Sequence, residues 1–214
     1  ESIGLVLNDI PKDIAREIIV VDNGSHDNTA NVAKDLGAKV MLEPLRGYGS
    51  ACLRGISVLK KDTDIVVFLD GDYSDHPQDI HTILKPILTG KAEMVIGSRM
   101  LGVREKGALL PQALFGNKLA AFLIRLFWRF RYTDLGPFRA IRYKALLALN
   151  MVDKNFGWTV EMQIKALKKG LQIVEVPVRY RKRVGVSKIT GTFSGTVRAG
   201  TKIIYTIFKY GFSR

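Results

Sequence analysis

The chain has 214 residues, 47% of them hydrophobic and 25% charged, with a net charge of +13 and a single cysteine. That length suits one large domain with a real core, and the composition excludes a disordered, collagenous or low-complexity protein. Cys52 alone excludes a disulfide framework and a cysteine metal centre and fits a reducing compartment, and no apolar run reaches the ~18–20 residues of a spanning helix.

In chain order, Glu17–Val21 is a β-branched run stopped by Asp22-Asn23-Gly24-Ser25, which predicts a strand leaving into a tight polar loop. A helix follows from Asn28 to Leu36, then a strand Ala38–Leu42. Gly47-Tyr48-Gly49 opens a helix to about Lys60, and Ile65–Leu69 is the next strand. Pro77 starts a helix to Leu88, and Glu93–Gly97 is a fourth strand. Strands alternating with helices of this length predict an α/β fold with a doubly wound, mainly parallel sheet.

Past Arg99 the pattern changes. Arg99–Leu110 reads as an irregular loop, and Pro111 opens an amphipathic helix to about Phe130. On it Phe115, Leu119, Phe122 and Leu126 share one face, and Lys118, Arg125 and Arg129 cluster on another, a pattern suited to a membrane interface or to packing on the domain itself. Phe138–Arg142 reads as an edge strand, Thr159–Lys169 as a helix and Leu171–Tyr180 as a strand interrupted by Pro177. The polar loop Arg181–Gly191 leads to a terminal amphipathic segment, Thr192–Phe212. Nothing forces a second domain, so 1–214 is read as one domain.

The charge is uneven. Residues 1–98 hold 10 basic and 15 acidic side chains, residues 99–214 hold 23 and 5, and from Arg179 onward there are nine basic residues and no acid. The asymmetry points to an acidic partner for the second half: nucleic acid, an anionic membrane surface or phosphate-bearing substrates. Nucleic acid is not expected, because aromatics are not interleaved with these charges. His26, His76 and His81 lack metal-ligand spacing. No signal peptide is visible, and because the chain opens at Glu1 without Met a preceding segment is expected.

Asp70-Gly71-Asp72, directly after the apolar run Ile65–Leu69, places two carboxylates one residue apart at the end of a buried strand. Mg²⁺ typically takes one or two protein carboxylates plus substrate phosphates, and open α/β sheets bind ligands at the carboxyl ends of their strands. Alone, the spacing is more often a turn with two solvated aspartates than a metal site. Asp22 could accept hydrogen bonds from a base or ribose. The glycines of Arg46-Gly47-Tyr48-Gly49-Ser50 open a helix whose free N–H groups favour anions. No P-loop and no dinucleotide fingerprint is present. Asp134–Arg142 joins an acid to two guanidiniums, and Arg181–Lys188 is a basic loop able to close over phosphates.

Taken together, these motifs resemble the family 2 glycosyltransferases of the GT-A fold, and within them the dolichyl-phosphate mannose synthase-like group. The resemblance is carried by VVDNGSHDNT at Val20–Thr29, RGYGSA at Arg46–Ala51, DGDYSDHP at Asp70–Pro77, Gly97-Ser98-Arg99, GPFRA at Gly136–Ala140, WTVEM at Trp158–Met162, Glu175-Val176-Pro177 and GVSK at Gly185–Lys188. It implies a Mg²⁺ or Mn²⁺ cofactor on Asp70 and Asp72, the DxD pair, and donor-binding roles for Asp22, Asn23, Gly49, Asp70, Gly71, Asp72, Arg99, Arg183 and Lys188. Asp72, Arg99, Asp134, Arg139 and Glu161 become the candidate catalytic residues, with Glu161 lining the sugar pocket or bracing the site. Arg99, Lys118, Arg139 and Ser187 are the candidates for an acceptor phosphate. Three departures are visible. The family's opening strand and its P-x-x-N-E segment would lie before Glu1. Ser74 stands where some relatives have a metal-binding Gln, leaving Ser74 or Asp75 as a third ligand. The R-x-x-G-x-S-K pattern is one residue short, leaving Lys182 and Arg183 both eligible as clamp.

The activity implied is inverting, metal-dependent transfer of a hexose from a UDP- or GDP-sugar to a polyprenyl or dolichyl phosphate, at the cytoplasmic face of a membrane or in the cytoplasm. A phosphate acceptor is already anionic, its second pKa being about 6, so no strong base is required. A hydroxyl acceptor would need one, and Asp134 or Glu161 would supply it. A sugar-1-phosphate nucleotidyltransferase and a non-enzymatic lipid- or nucleic-acid-binding module are the rival classes.

Overall fold

The computed structural model describes residues 2–185 and 193–213. The elements run α1 (Ser2–Asp9), β1 (Ile19–Asp22), α2 (Thr29–Asp35), β2 (Lys39–Leu42), α3 (Tyr48–Ser57), β3 (Ile65–Phe68), α4 (Ile80–Leu88), β4 (Met94–Ser98), α5 (Pro111–Trp128), β5 (Arg139–Arg142), α6 (Tyr143–Leu149), α7 (Trp158–Lys168), β6 (Ile173–Pro177) and α8 (Phe193–Phe212). The strand–helix alternation to β4 follows the sequence reading. The proline at Pro111 opens α5, where a missing N–H costs nothing, and Arg129 at φ 57° closes it in a left-handed cap. Residues 99–110 form the expected irregular loop.

β1 and β2 pair in parallel, and a second sheet has the order β3-β5-β4-β6. β4 and β6 are parallel, whereas β5 runs antiparallel to both β3 and β4. The expectation of an edge strand at Phe138–Arg142 is therefore overturned. β5 is central, and Arg139, Ala140 and Ile141 are fully buried. Its two arginines suggest an edge, but both heads are taken up inside: Arg142 donates to the Ile87 carbonyl at 2.8 Å, and Arg139 to carbonyls described below.

The main core surrounds Trp158, which meets the ring of Phe68 at 4.8 Å and that of Tyr48 at 6.0 Å. This contact sets α3 and α7 against β3, immediately behind the DGD loop. Among the described residues no helix is long and apolar enough to cross a membrane.

Candidate active site

A cavity of about 1420 Å³ lies between β1 and β3, and Asp22, Asp70, Gly71, Asp72 and Arg183 are part of its lining. Asp22 ends β1. Its Oδ1 accepts the Ser25 N–H at 2.8 Å, closing a turn in which Gly24 takes φ 85°. Asn23 is spent elsewhere: its amide donates to the Glu43 and Leu45 carbonyls, and its oxygen accepts the Gly47 N–H, all at 2.8 Å. It ties two loops together, which corrects its reading as a donor-binding group.

The glycines after Arg46 also serve packing. A Cβ at Gly47 or Gly49 would collide with the Lys154 or Asp153 carbonyl, and the Ser50 N–H donates to Lys154 O at 2.9 Å. The start of α3 is thus seated on the 153–154 loop, and Gly49 provides close approach to protein backbone in place of a phosphate cradle. The group this motif does bring to the site is Tyr48, which lines the same cavity as Asp70. A tyrosine inside a glycine-rich helix start carries no sequence signal for that role.

Burial pushes the Asp70 carboxyl above its ordinary range, and the nearby Tyr48 hydroxyl and the charges of Arg99, Arg183 and Arg139 oppose the shift. In Asp72, Oδ1 accepts from Ser74 N at 2.9 Å and Ser74 Oγ at 2.5 Å, while Arg183 holds Oδ2. Ser74 therefore orients Asp72. Asp75 is 1% exposed, and neither of its oxygens has a hydrogen-bond partner. Burial raises its pKa to about 8, with the neighbouring Asp70 and Asp134 adding to the effect and Arg99 opposing it. Tyr73, between the two aspartates and Asp75, takes φ 65°, a strained conformation for a tyrosine. Its hydroxyl donates to Asp9 at 2.8 Å, and the Arg181 guanidinium lies 3.3 Å over its ring.

Arg99 follows β4. Its Nε and Nη2 fork onto the two oxygens of Asp134, each at 2.7 Å, and its backbone N–H reaches Oδ2 at 2.8 Å. Asp134 is fully buried and carries all three bonds, so it positions Arg99 and is not free to act as a base. Glu175 fixes that turn in its own right, accepting from Thr133 N, Thr133 Oγ1 and Asp134 N at 2.8–3.0 Å.

Two further candidates are also bracing residues. Arg139 is fully buried and donates to the carbonyls of Thr159 (3.0 Å), Leu135 and Gly136, with Nε unpartnered. Its guanidinium is held on backbone carbonyls with no solvent-exposed surface. Glu161, fully buried, accepts from Asp153 N, Tyr210 Oη, Lys165 Nζ and Val152 N, at 2.8, 2.8, 2.7 and 3.2 Å. It joins α7 to α8 and to the loop behind Gly49. Lys118 stands exposed on the outer face of α5, whereas its neighbour Asn117 is the residue that bonds the 133–135 turn.

Of the two clamp candidates, Arg183 is at the site. The Lys182 ammonium lies 3.5 Å from Glu105, on the side of the 99–110 loop. Ser187 and Lys188 lie outside the described residues.

Residues 3–148 match the profile described as Glycosyl transferase family 2. An uncharacterised glycosyltransferase of Mycobacterium tuberculosis is 36% identical over 201 residues, 93% of this chain and 88% of that protein. A protein of Haloferax volcanii named dolichyl-phosphate hexose transferase is 31% identical over 210 residues, covering 95% and 87%. The crystal structure of glucosyl-3-phosphoglycerate synthase from Mycobacterium tuberculosis, in complex with Mn²⁺, UDP-glucose and phosphoglyceric acid, has a TM-score of 0.75 at 22% identity, covering 98% of this chain and 75% of that one.

Proposed function

The chain belongs to glycosyltransferase family 2, and on that premise we propose that it transfers a hexose from a nucleotide-sugar to a polyprenyl phosphate. One observation carries the choice of acceptor. Both carboxylates eligible as a base for a hydroxyl acceptor, Asp134 and Glu161, are buried and filled by donors. Asp75 is sealed at 1% exposure and holds its proton near neutral pH. A phosphate acceptor needs no base, since it is already anionic at pH 7; it needs fixed cations, and Arg99 is one. The curated relative named dolichyl-phosphate hexose transferase supports the same reading.

The donor set fits a divalent cation. Asp70 and Asp72 offer hard carboxylate oxygens, and no group of three or more His, Cys, Asp or Glu converges among the described residues, so phosphate oxygens and water would complete a Mg²⁺ or Mn²⁺ shell. Bound there, the ion would neutralise charge developing on the leaving diphosphate. Asp22, with its turn fixed by Ser25, is assigned to the base or ribose. Arg99, held by Asp134, orients the acceptor phosphate, and Arg183 with Lys188 clamps the donor diphosphate. Residues 1–98 form the donor half and 99–214 the acceptor half of one domain.

The lipid is met at a membrane surface. The exposed face of α5 carries Phe115 (69%), Phe122 (60%) and Leu126 (66%) beside Lys118, Arg125 and Arg129. On α8, packed against it through Phe127, Phe208 and Phe212 at 5.4–5.6 Å, Tyr205 and Phe212 are exposed with Lys209. Basic residues at an anionic leaflet contribute on the order of 1 kcal/mol each. The test is incubation with labelled UDP- or GDP-hexoses, Mn²⁺ and vesicles containing polyprenyl phosphate. Label is expected in the lipid extract and is expected to disappear with chelator or Asp72→Asn; label that stays in the water phase for every donor overturns the proposal.

A further inference from the structure

We propose that Arg183 and a divalent cation compete for one oxygen of Asp72, so that cation binding and release of the tip of the strap Arg179–Gly185 are a single exchange. The inference rests on reading Asp70 and Asp72 as the metal carboxylates. Asp72 Oδ1 already takes two hydrogen bonds from Ser74, at 2.9 and 2.5 Å. The oxygen left to face an ion is Oδ2, and Arg183 holds it. A guanidinium and a dication at contact distance on that oxygen repel each other, so each weakens the other's hold on it.

The strap is anchored so that only its tip need move. At its root Arg179 forks onto Asp79, with Nη2 at 2.6 Å and Nε at 2.9 Å. Arg181 donates from its backbone to Ser74 O at 2.9 Å and from Nε to Tyr73 O at 2.7 Å, and it lies 3.5 Å from Asp9. None of these contacts uses the Asp72 carboxylate. Among the described residues beyond Lys182, the Arg183 side chain and the Val184 N–H, which reaches Asp72 O at 2.9 Å, rest on the DGD loop. An ion at Oδ2 therefore dislodges Arg183 while the root stays in place, within reach of a diphosphate on the same ion. One residue thus opposes the ion when it binds alone and assists it when it arrives with phosphates.

The opposite signs give the test. Mn²⁺ is titrated into the protein without nucleotide, and free Mn²⁺ is read by electron paramagnetic resonance. A half-exposed ion pair of this kind opposes binding modestly, so Arg183→Gln is expected to bind Mn²⁺ about two- to fivefold more tightly than wild type. The same variant is expected to bind UDP or GDP more weakly once Mn²⁺ is saturating. The Arg183 side chain is 37% exposed, so its loss opens no core cavity. Lys182→Gln removes the same charge one residue away without touching Asp72, and is expected to leave Mn²⁺ affinity near wild type. Equal or weaker Mn²⁺ binding by Arg183→Gln, or equal tightening by Lys182→Gln, overturns the exchange while leaving the metal reading intact, provided Asp72→Asn abolishes binding. Absence of Mn²⁺ binding in every form, with UDP or GDP present as well as without, overturns both.

Discussion

Replacing Glu161 by Gln separates a brace from a catalyst. The carboxylate receives four donors, two backbone N–H groups, the Tyr210 hydroxyl and the Lys165 ammonium, and is fully buried. Glutamine keeps the shape but has one acceptor oxygen, and its NH₂ would face a donor, so at least two of these bonds are lost and Lys165 is left without its counter-charge. Charge-assisted bonds contribute about 1.5–3 kcal/mol each, and breaking a buried ion pair costs about 3–5 kcal/mol. With roughly 2–4 °C of melting temperature per kcal/mol in a chain of this size, the variant should melt about 10 °C lower. It should still fold at low temperature, because domains typically hold about 5–15 kcal/mol. Calorimetry gives the melting point, and kcat is measured well below it, where it is expected to stay within a few-fold of wild type. A variant that melts like wild type but loses a hundredfold or more in kcat would show that Glu161 is a general base, and the bracing assignment would be wrong.

The other predictions concern the site's neighbours. Asp134→Asn should release Arg99, raising the KM for the acceptor much more than that for the donor and leaving the shape of the kcat–pH profile unchanged; loss of its acidic limb would instead make Asp134 the base. Asp75 keeps its proton to about pH 8 in the folded chain but releases it near 3.8 when unfolded. The native state therefore binds more protons between these values, and stability falls as pH rises through that window, by an amount on the order of a few kcal/mol. Asp75→Asn should remove this slope, so that melting points at pH 5 and pH 8 converge; an unchanged slope refutes the buried-acid assignment. Phe115→Ser combined with Phe122→Ser should reduce flotation with anionic vesicles severalfold without lowering the melting point, since both rings are exposed. Undiminished flotation would move the membrane face elsewhere.

Periodicity was enough for the elements from β1 to β4, where β-branched runs alternate with turn residues. It missed α1, whose eight residues Ser2–Asp9 have no capping signal before them, and α6, seven residues long. It also put β5 at an edge, because an arginine in a central strand looks prohibitive until its carbonyl partners are known. Asp70 and Asp72 were singled out by their place after an apolar strand and among the other motifs, since their spacing alone more often describes a solvated turn. The choice between base and brace at Asp134 and Glu161 was not readable, because an acid that acts as a base and one that caps backbone N–H groups look alike in sequence. Their partners come from β4 and α8, 35 and 49 residues away. The same holds for Asn23 and Gly49, whose roles lie in loop-to-loop contacts. Lys182 and Arg183 are chemically close neighbours, and only the path of the strap separates them: one turns to Glu105, the other to Asp72.

The central claim is transfer to a lipid phosphate, and a direct competition tests it. Labelled nucleotide-hexose, Mn²⁺ and enzyme are supplied with polyprenyl phosphate in vesicles and with phosphoglycerate in solution, and the products are separated by solvent extraction and mass spectrometry. The account predicts a hexosyl polyprenyl phosphate that forms faster than any water-soluble glycoside and is lost in Asp70→Asn. A glycosylated phosphoglycerate with no labelled lipid would contradict it.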